Sequence, residues 1–182
     1  MNKCCCASVA FLILSLLLVA CSADHYKCND PLGCLEISSG CPIVIGSLLE
    51  TFGEQNPVGI KTLEGVRKAV ADQDELLGHP IELISYGMEC TAESTWSAAT
   101  EFSTNPKLLA VIGPTCADEA KTADTILSDA GIPMLGPVTD PEAAYELTNR
   151  VFAAIVQVAV QAPDKILYVP RQTLLDALSR VP

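Results

Sequence analysis

The stretch "LLAVIGPTCADEA", residues 108–120, shows how this chain is built. It begins with a continuous apolar run, residues 108–113, which is typical of a strand buried on both faces of a sheet. A Gly-Pro pair ends the run, Cys116 follows, and residues 118–131 then have helix-forming sequence that stops at Gly131. The stretch therefore predicts a buried strand, a short turn that contains a cysteine, and a helix.

The same alternation of strand and helix extends in both directions. Apolar residues recur with helical spacing at Ile60, Leu63, Val66 and Val70, between two short strand-like runs. Repeated units of this kind favour an α/β fold in which an open parallel sheet is flanked by helices. The predicted strands cover residues 43–50, 81–86, 108–113 and 132–137, and the predicted helices cover residues 59–73, 92–103 and 118–131.

The charge of the chain excludes two classes of partner. Its 182 residues carry a formal net charge of −11, and the sequence pI is about 4.4. A nucleic-acid-binding protein needs a face rich in Lys and Arg for the phosphates, so no nucleic-acid partner is expected. A polybasic patch for a membrane surface is excluded for the same reason. The length suits one domain with appendages.

The N-terminus has the pattern of a bacterial lipoprotein signal. Lys3 precedes an uncharged apolar run of about 14 residues, 7–20, which suits a signal-peptide core and is short for a transmembrane span. Small residues then precede Cys21. We expect a signal peptide over residues 1–20 and a lipid on Cys21, which would anchor the exported protein in the bacterial cell envelope. An uncleaved signal-anchor and a plain secretory signal are the alternatives.

Two cysteines of the following segment predict a local disulfide. Residues 21–42 are expected to form an irregular linker, in which Cys28 and Cys34 flank a turn-forming stretch. His25 leaves a metal site as the alternative, although the spacing is not that of a zinc knuckle. Export to an oxidising compartment favours the disulfide.

A second disulfide is predicted between Cys90 and Cys116, each of which follows a predicted strand. If those parallel strands are neighbours, both cysteines lie at one edge of the sheet. The bond would close a loop of about 27 residues. A free, reactive thiol of Cys116 at a helix N-terminus is the alternative. Cys41 is left over, because five cysteines remain beyond Cys21 and five is an odd number.

No pattern of catalytic residues is present. Neither GxGxxG nor GxxxxGK[ST] follows the first strand. The two histidines are His25 and His79, and neither lies near a nucleophile-elbow sequence. The acidic residues lie mainly on predicted helical faces, where solvation explains them. We therefore expect no enzyme activity, no cofactor and no metal site.

Three loops at the carboxyl ends of the predicted strands form the candidate binding site, because ligands of open α/β sheets bind beyond those ends. A helix that starts near Ala117 would aim backbone N–H groups at this edge and would favour a carboxylate. Thr139 offers a hydroxyl at the same edge, whereas Asp118 would either stabilise the helix or repel an anion. An amino acid suits this combination. The loops are residues 51–56, 113–118 and 136–141.

Several motifs together resemble a known family of binding proteins. They are "CNDPLGCLEI", "PIVIGSLLETFG", "GIKTLEGVRKAVAD", "LLGHPIELISYGMEC" and "VIGPTCADEAKTADTILSDAGIPMLGPVTDP", spread over residues 28–141. In order and spacing they resemble the extracellular substrate-binding proteins of branched-chain amino acid ABC transporters, which have the type 1 periplasmic binding fold. The resemblance implies two α/β lobes that close around an amino acid and deliver it to a permease in the membrane.

The resemblance also implies ligand-binding residues in the first lobe, residues 43–141. Ala117 and Thr139 stand at the positions that hold the ligand carboxylate. Family members carry a small hydroxyl residue where Ala117 stands, and "GPVTDP" is one residue shorter than the usual pattern, so altered affinity is expected. The full set of implied ligand-binding residues is Thr51, Gly53, Ala117, Asp118, Val138 and Thr139.

The last part of the chain, residues 142–182, resembles a late piece of the second lobe. The chain is therefore expected to be internally deleted, with the join between Glu142 and Phe152, and truncated at its C-terminus. A solute held against one wall keeps much of its water, so binding is expected to be impaired. The apolar helix faces of this part could pack on the first lobe, pair between chains or stay loose. The alternative functions are a surface-anchored half-domain that acts in protein interaction, and a non-functional truncated product.

Overall fold

The computed structural model describes residues 26–53 and 56–180, so the predicted signal peptide and Cys21 lie outside the described residues. The strands are β1 Cys34–Ile37, β2 Ile43–Glu50, β3 Glu75–Leu76, β4 His79–Met88, β5 Leu108–Ile112, β6 Met134–Leu135, β7 Val160–Gln161 and β8 Leu167–Pro170. The helices are α1 Asn56–Gln73, α2 Ala92–Ser103, α3 Ala120–Asp129, α4 Pro141–Val158 and α5 Arg171–Ser179.

A five-stranded sheet in the order β3-β4-β2-β5-β6 forms the centre of the molecule. Strand β2 pairs in parallel with β4 and β5, and β5 pairs in parallel with β6. Every residue of β2 and β5 is buried, which explains their nearly unbroken apolar sequence. The predicted α/β fold with an open parallel sheet is confirmed.

Helices cover both faces of this sheet. Alternate residues of β2 point to opposite faces: Ile45 and Leu49 belong to the core that includes residues of α1 and α4, whereas Val44 and Leu48 belong to the core that includes residues of α2 and α3. Among the helices that the structure describes, none is both long and apolar enough to cross a membrane.

A second, three-stranded sheet in the order β1-β8-β7 joins the same core. Strand β1 pairs antiparallel with β8, and Leu35 of β1 packs in one cluster with Leu167 and Val169 of β8. The segment 21–42 was predicted to be an irregular linker, and the strand Cys34–Ile37 within it corrects this prediction. Its strand forms because a partner from the far end of the described chain supplies the hydrogen bonds, which a local pattern cannot reveal.

Helix α4 packs on the five-stranded sheet and on α1, which shows where its apolar face lies. Val151, Phe152 and Ile155 are buried in the core that they share with β2 and α1. The predicted join between Glu142 and Phe152 falls inside this helix, which is continuous. Close contact between the two helices is possible because Gly65 of α1 lies against the backbone of α4 at Pro141.

The N-terminal end of α5 is stabilised by a residue far away in the sequence. The Asp30 carboxylate accepts hydrogen bonds from the Gln172 and Thr173 N–H groups at 2.9 and 3.0 Å, from the Thr173 hydroxyl at 2.9 Å, and from the Leu32 N–H at 3.0 Å. Burial alone would raise the pKa of Asp30, but these hydrogen bonds outweigh it and the pKa lies below its usual value. Asp30 therefore ties the segment before β1 to the last described helix.

We expect Asp30→Ala to lower the free energy of unfolding by about 1–2 kcal/mol, because α5 loses its N-terminal acceptor. A carboxyl whose pKa is lowered in the folded state stabilises above its unfolded pKa, and this stabilisation is lost as the pH falls through the folded value. Urea unfolding between about pH 6 and about pH 3 measures both effects. Asp124→Ala, at an exposed position of α3, is the matched control. Equal stability of both variants would contradict the assignment.

Candidate ligand-binding site

The carboxyl ends of three neighbouring strands bring the predicted loops to one edge of the sheet. Strands β2, β5 and β6 are adjacent and parallel, and they end at Glu50, Ile112 and Leu135. The loops that follow, residues 51–53 and 113–119 and 136–140, therefore lie side by side. We call this set of loops the carboxyl edge.

Two hydrogen bonds from backbone N–H groups, one to a side-chain hydroxyl and one to a carbonyl, fix the loops of the carboxyl edge against one another. The Glu50 N–H donates to the Thr115 hydroxyl at 3.1 Å, which joins the end of β2 to the loop after β5. The Val138 N–H donates to the Pro114 carbonyl at 2.8 Å, which joins the loop after β6 to the same loop. The site is thus formed by a connected piece of backbone, which suits a preorganised binding surface.

Two glycines allow this close packing of loops. A Cβ on Gly113 would come within 3.0 Å of the Leu48 carbonyl oxygen, and its φ of +127° is unfavourable for other residues. A Cβ on Gly136 would come equally close to the Gly113 carbonyl. Each glycine precedes a proline through a cis peptide bond. Gly113 therefore allows the loop after β5 to approach β2, and Gly136 allows the loop after β6 to approach the loop after β5.

The structure pairs the cysteines as the sequence predicts. Cys90 is joined to Cys116 across the ends of β4 and β5, with their Cα atoms 5.6 Å apart. Cys28 is joined to Cys34, with their Cα atoms 5.9 Å apart. Cys41 is the exposed cysteine left unpaired among the described residues.

Ala117 is placed differently from the prediction. Helix α3 begins at Ala120, and residues 117–119 form a turn in which the Ala120 N–H donates to the Ala117 carbonyl at 3.3 Å. Local sequence favours a helix from Asp118, but residues 117–119 form a separate turn after Thr115 and Cys116, which are held by a hydrogen bond and by the disulfide. Ala117 and Asp118 are exposed, and no acceptor for the Ala117 N–H lies within residues 26–53 and 56–180.

The other predicted residues differ in what they can present to a solute. Thr139 is exposed, and in the described part of the chain its hydroxyl has no hydrogen-bond partner. Thr51 is half-buried and Gly53 is exposed. Val138 is only 4% exposed and its N–H donates to the Pro114 carbonyl, so its side chain and its N–H support the loop.

Two hollows flank the carboxyl edge and contain residues that the sequence did not reveal. One, of about 360 Å³, contains Thr51 and the paired hydroxyls of Ser47 and Ser85, which are 2.9 Å apart. The other, of about 310 Å³, contains Thr139 and Arg150. Ser47 and Ser85 interrupt predicted strands that are otherwise largely apolar, so the sequence does offer a signal for them. Arg150 lies on helix α4, where nothing in the local sequence distinguishes it as a site residue.

The surroundings of the edge are acidic. A third hollow, of about 420 Å³, is lined by Glu89, Glu93 and Glu101 beside β4. Tyr86 donates a hydrogen bond to the Glu101 carboxylate, and this bond, together with burial, raises the pKa of Tyr86. A simple anion would be repelled here, whereas a zwitterion brings a cationic group that the acidic residues attract.

The chain was compared with protein families, curated proteins and solved structures, and only solved structures match it. No protein-family model and no curated protein matches the chain. A possible leucine/isoleucine/valine-binding protein from Rhodopirellula baltica matches with a TM-score of 0.51 and 18% identity, over 63% of this chain and 31% of that one. An ABC transporter substrate-binding protein from Sphaerobacter thermophilus has 28% identity and a TM-score of 0.49, over 51% and 25%. The branched-chain amino acid transporter substrate binding protein LivJ from Streptococcus pneumoniae, solved with isoleucine, has 25% identity and a TM-score of 0.49, over 51% and 28%.

The chain thus has the α/β fold of the type 1 periplasmic binding proteins. The parallel sheet, its flanking helices and the match to the Rhodopirellula protein establish this at the level of the fold. Of these three proteins, the Streptococcus protein is described as the substrate-binding protein of a branched-chain amino acid transporter, the Sphaerobacter protein as that of an ABC transporter, and the Rhodopirellula protein as a possible leucine/isoleucine/valine-binding protein. The chain spans between 25% and 31% of the length of these three proteins.

Proposed function

We propose that this protein is a solute-binding protein of an ABC importer and that it binds a free amino acid, of the branched-chain type, at the carboxyl edge. The observation that carries the proposal is the pairing of this fold with two exposed donors at the edge, the Ala117 N–H and the Thr139 hydroxyl. Both belong to loops that Pro114 and Val138 tie together. Donors of this kind bind a carboxylate without a charged side chain.

The residues of the edge suit the other parts of an amino acid as well. Asp118 is exposed beside Ala117 and would attract the ammonium group. Phe52 is 60% exposed next to Thr51 and offers an apolar surface to an aliphatic side chain. The proposed site therefore divides into a carboxylate part, an ammonium part and an apolar part.

The exposure of the edge determines how tightly such a solute is held. Phe52, Ala117 and Thr139 are all exposed, so the described residues form one wall of a site. A ligand pocket normally buries most of its ligand, and weak binding follows where only one side is covered. We propose residues 43–141 as the first lobe, residues 142–182 as the remnant of a second lobe, and impaired affinity as the consequence.

Delivery to a permease completes the proposal. The lipoprotein pattern at Cys21 would hold the protein at the cell envelope, where an importer takes up its solute. Among the described residues of the carboxyl edge, no nucleophile is arranged with a base, so transport is proposed and catalysis is not. The expected partners are a free amino acid, an ABC permease, and the membrane through the lipid.

A thermal melt tests the proposed binding. The oxidised chain is heated with and without single free amino acids at millimolar concentration, since a ligand selective for the folded state raises the melting temperature. A rise with leucine, isoleucine or valine supports the proposal. A cooperative transition that no amino acid moves would refute amino-acid binding and favour a half-domain that acts through a protein partner.

Substitutions at Thr139 and Ala117, which carry the two donors, are expected to change the affinity for an amino acid in opposite directions. Thr139→Ala should weaken amino-acid binding by about 3- to 10-fold, because one hydrogen bond to the carboxylate is lost. Ala117→Ser should strengthen binding by a similar factor, because it adds a hydroxyl at the same edge. Isothermal titration measures both, with Thr125→Ala on exposed α3 as the control. If both variants bind as the parent does, the solute is held elsewhere.

A further inference from the structure

A buried carboxylate lies beside the disulfide of the carboxyl edge. Glu50 ends β2 and is only 2% exposed, although most acidic residues of the chain face solvent. Its Oε2 atom is 3.2 Å from the Sγ atom of Cys90. Cys116 is 8% exposed, and its Sγ atom belongs to the same group, in which one donor atom of each residue lies within 4.8 Å of the others.

The fold explains why these three residues meet. Strand β2 lies between β4 and β5, and Glu50, Cys90 and Cys116 come at or shortly after the ends of these three strands. The bond from the Glu50 N–H to the Thr115 hydroxyl fixes the end of β2 against the residue before Cys116. Glu50 is thus held on the same backbone as the disulfide.

We propose that reduction of the Cys90–Cys116 disulfide converts this cluster into a Zn²⁺ site with two thiolate ligands and the Glu50 carboxylate. In the first step a dithiol reductant attacks the disulfide, leaves as a cyclic disulfide and releases two protein thiols. In the second step Zn²⁺ binds both sulfurs and displaces two protons, which pass to solvent. The oxidised and reduced states therefore offer different chemistry at one place.

The geometry suits zinc. Zn–S bonds of about 2.3 Å in a tetrahedron place two sulfurs about 3.8 Å apart, and a carboxylate oxygen at about 2.1 Å from zinc lies roughly 3.6 Å from each sulfur. The distance of 3.2 Å between the Glu50 Oε2 atom and the Cys90 Sγ atom is close to this oxygen–sulfur distance. The main change needed for zinc binding is therefore a wider separation of the two sulfur atoms. Rotation of the cysteine side chains can do this while the Cα atoms stay 5.6 Å apart.

The charges of the cluster favour a soft divalent cation. Two thiolates and a carboxylate carry three negative charges, and thiolate ligands select zinc over magnesium or calcium. Three protein ligands leave a fourth position for water, as in zinc sites that remain open to a ligand. Bound zinc would hold the ends of β2, β4 and β5 together in place of the disulfide.

Access supports reduction at Cys90. Cys90 is half-buried, whereas Cys116 is buried, so Cys90 is the more accessible residue of the pair. The second cysteine pair, Cys28–Cys34, has no carboxylate in such a cluster among the described residues. A matched comparison between the two pairs is therefore available within one chain.

Metal titration tests the proposal. The full chain in mild detergent carries serine in place of the five cysteines outside the two disulfides. It is reduced with dithiothreitol, desalted without oxygen, and titrated first with Co²⁺ and then with Zn²⁺. We expect the reduced protein to bind one cobalt ion per chain and to show thiolate-to-cobalt absorption. Zn²⁺ should displace the cobalt, and the oxidised protein should show no such absorption. The five replaced residues are Cys4, Cys5, Cys6, Cys21 and Cys41.

Variants in this background identify the ligands. Glu50→Gln should weaken Zn²⁺ binding by at least about 10-fold, the low end of the loss seen even for an outer partner of a ligand. Glu89→Gln, an exposed neighbour of Cys90, should leave affinity unchanged. Circular dichroism of oxidised Glu50→Gln checks its folding. If it does not fold, Cys90→Ser takes its place and should abolish the signal.

Three results would overturn the proposal. The first is that Glu50→Gln binds Zn²⁺ with the same affinity as the parent. The second is that the oxidised and the reduced protein bind Zn²⁺ equally. The third is a cobalt signal that survives Cys90→Ser but disappears with Cys28→Ser/Cys34→Ser. A melting temperature that Zn²⁺ raises in the reduced parent alone would support it. None of these measurements uses an amino acid, so failure of the proposed transport function would leave them interpretable.

Discussion

Replacing Gly65 by alanine is expected to destabilise the protein by about 3 kcal/mol, because the new Cβ would come within 3.0 Å of the Pro141 carbonyl oxygen on α4. The sign of this effect is informative. On an uncovered helix the same change stabilises by about 0.5–1 kcal/mol, since alanine is the better helix former. Urea denaturation of the oxidised protein measures the difference.

Glu64→Ala is the matched control for this prediction. Glu64 is the exposed neighbour of Gly65 on α1, so its replacement should change the free energy of unfolding by less than about 0.5 kcal/mol. A stabilised Gly65→Ala variant would mean that α4 does not pack on α1. In that case the apolar residues of α4, such as Phe152 and Ile155, would need a different cover.

Removing the Cys90–Cys116 disulfide is the second change with a large expected effect. The two residues are 26 positions apart, and the chain-entropy relation gives a stabilisation of roughly 3–4 kcal/mol for a loop of this length. Cys90→Ala/Cys116→Ala should therefore lower the free energy of unfolding by about that amount. Equilibrium unfolding in urea is the measurement, provided that the transition stays cooperative.

The other pair supplies the comparison. Cys28 and Cys34 are 6 positions apart, so the same relation predicts a smaller loss of roughly 2–2.5 kcal/mol for Cys28→Ala/Cys34→Ala. A larger loss at the short loop would contradict the entropic account. It would instead indicate that Cys34 matters through β1, whose Leu35 packs against β8.

The sequence could predict where the loops of the candidate site meet, because loops after parallel strands lie at one edge, which is a property of the fold class. That Thr51 and Thr139 bind a solute there stays a prediction. The exact start of α3 was not found, because residues 117–119 suit either a first helical turn or an isolated turn, and contacts at Thr115 and Cys116 decide between them. The burial of Val138 could not be predicted either, since it depends on a neighbouring loop.

Glu50 shows where a local interpretation fails. Acidic residues were attributed to solvated faces, yet Glu50 is buried at the end of a central strand beside Cys90. Glu50 is buried because β2 lies between β4 and β5. The spacing of apolar residues does not reveal this order of the strands. The cluster that carries the zinc proposal could therefore be recognised only in three dimensions.

The sequence by itself determined the alternation of strands and helices, the parallel α/β class, both cysteine pairs and the edge where the loops converge. Each of these features depends on the spacing of residues along the chain or on strands and helices that are neighbours in sequence. The periodicity of apolar residues and the Gly-Pro pairs reveal both. The tertiary structure alone decided the pairing of β1 with β8, the hydrogen bonds of Asp30 to α5 and the packing of α4 on Gly65. These contacts join segments that are far apart in sequence, and their stability comes from buried surface and hydrogen bonds that exist only once the chain has folded.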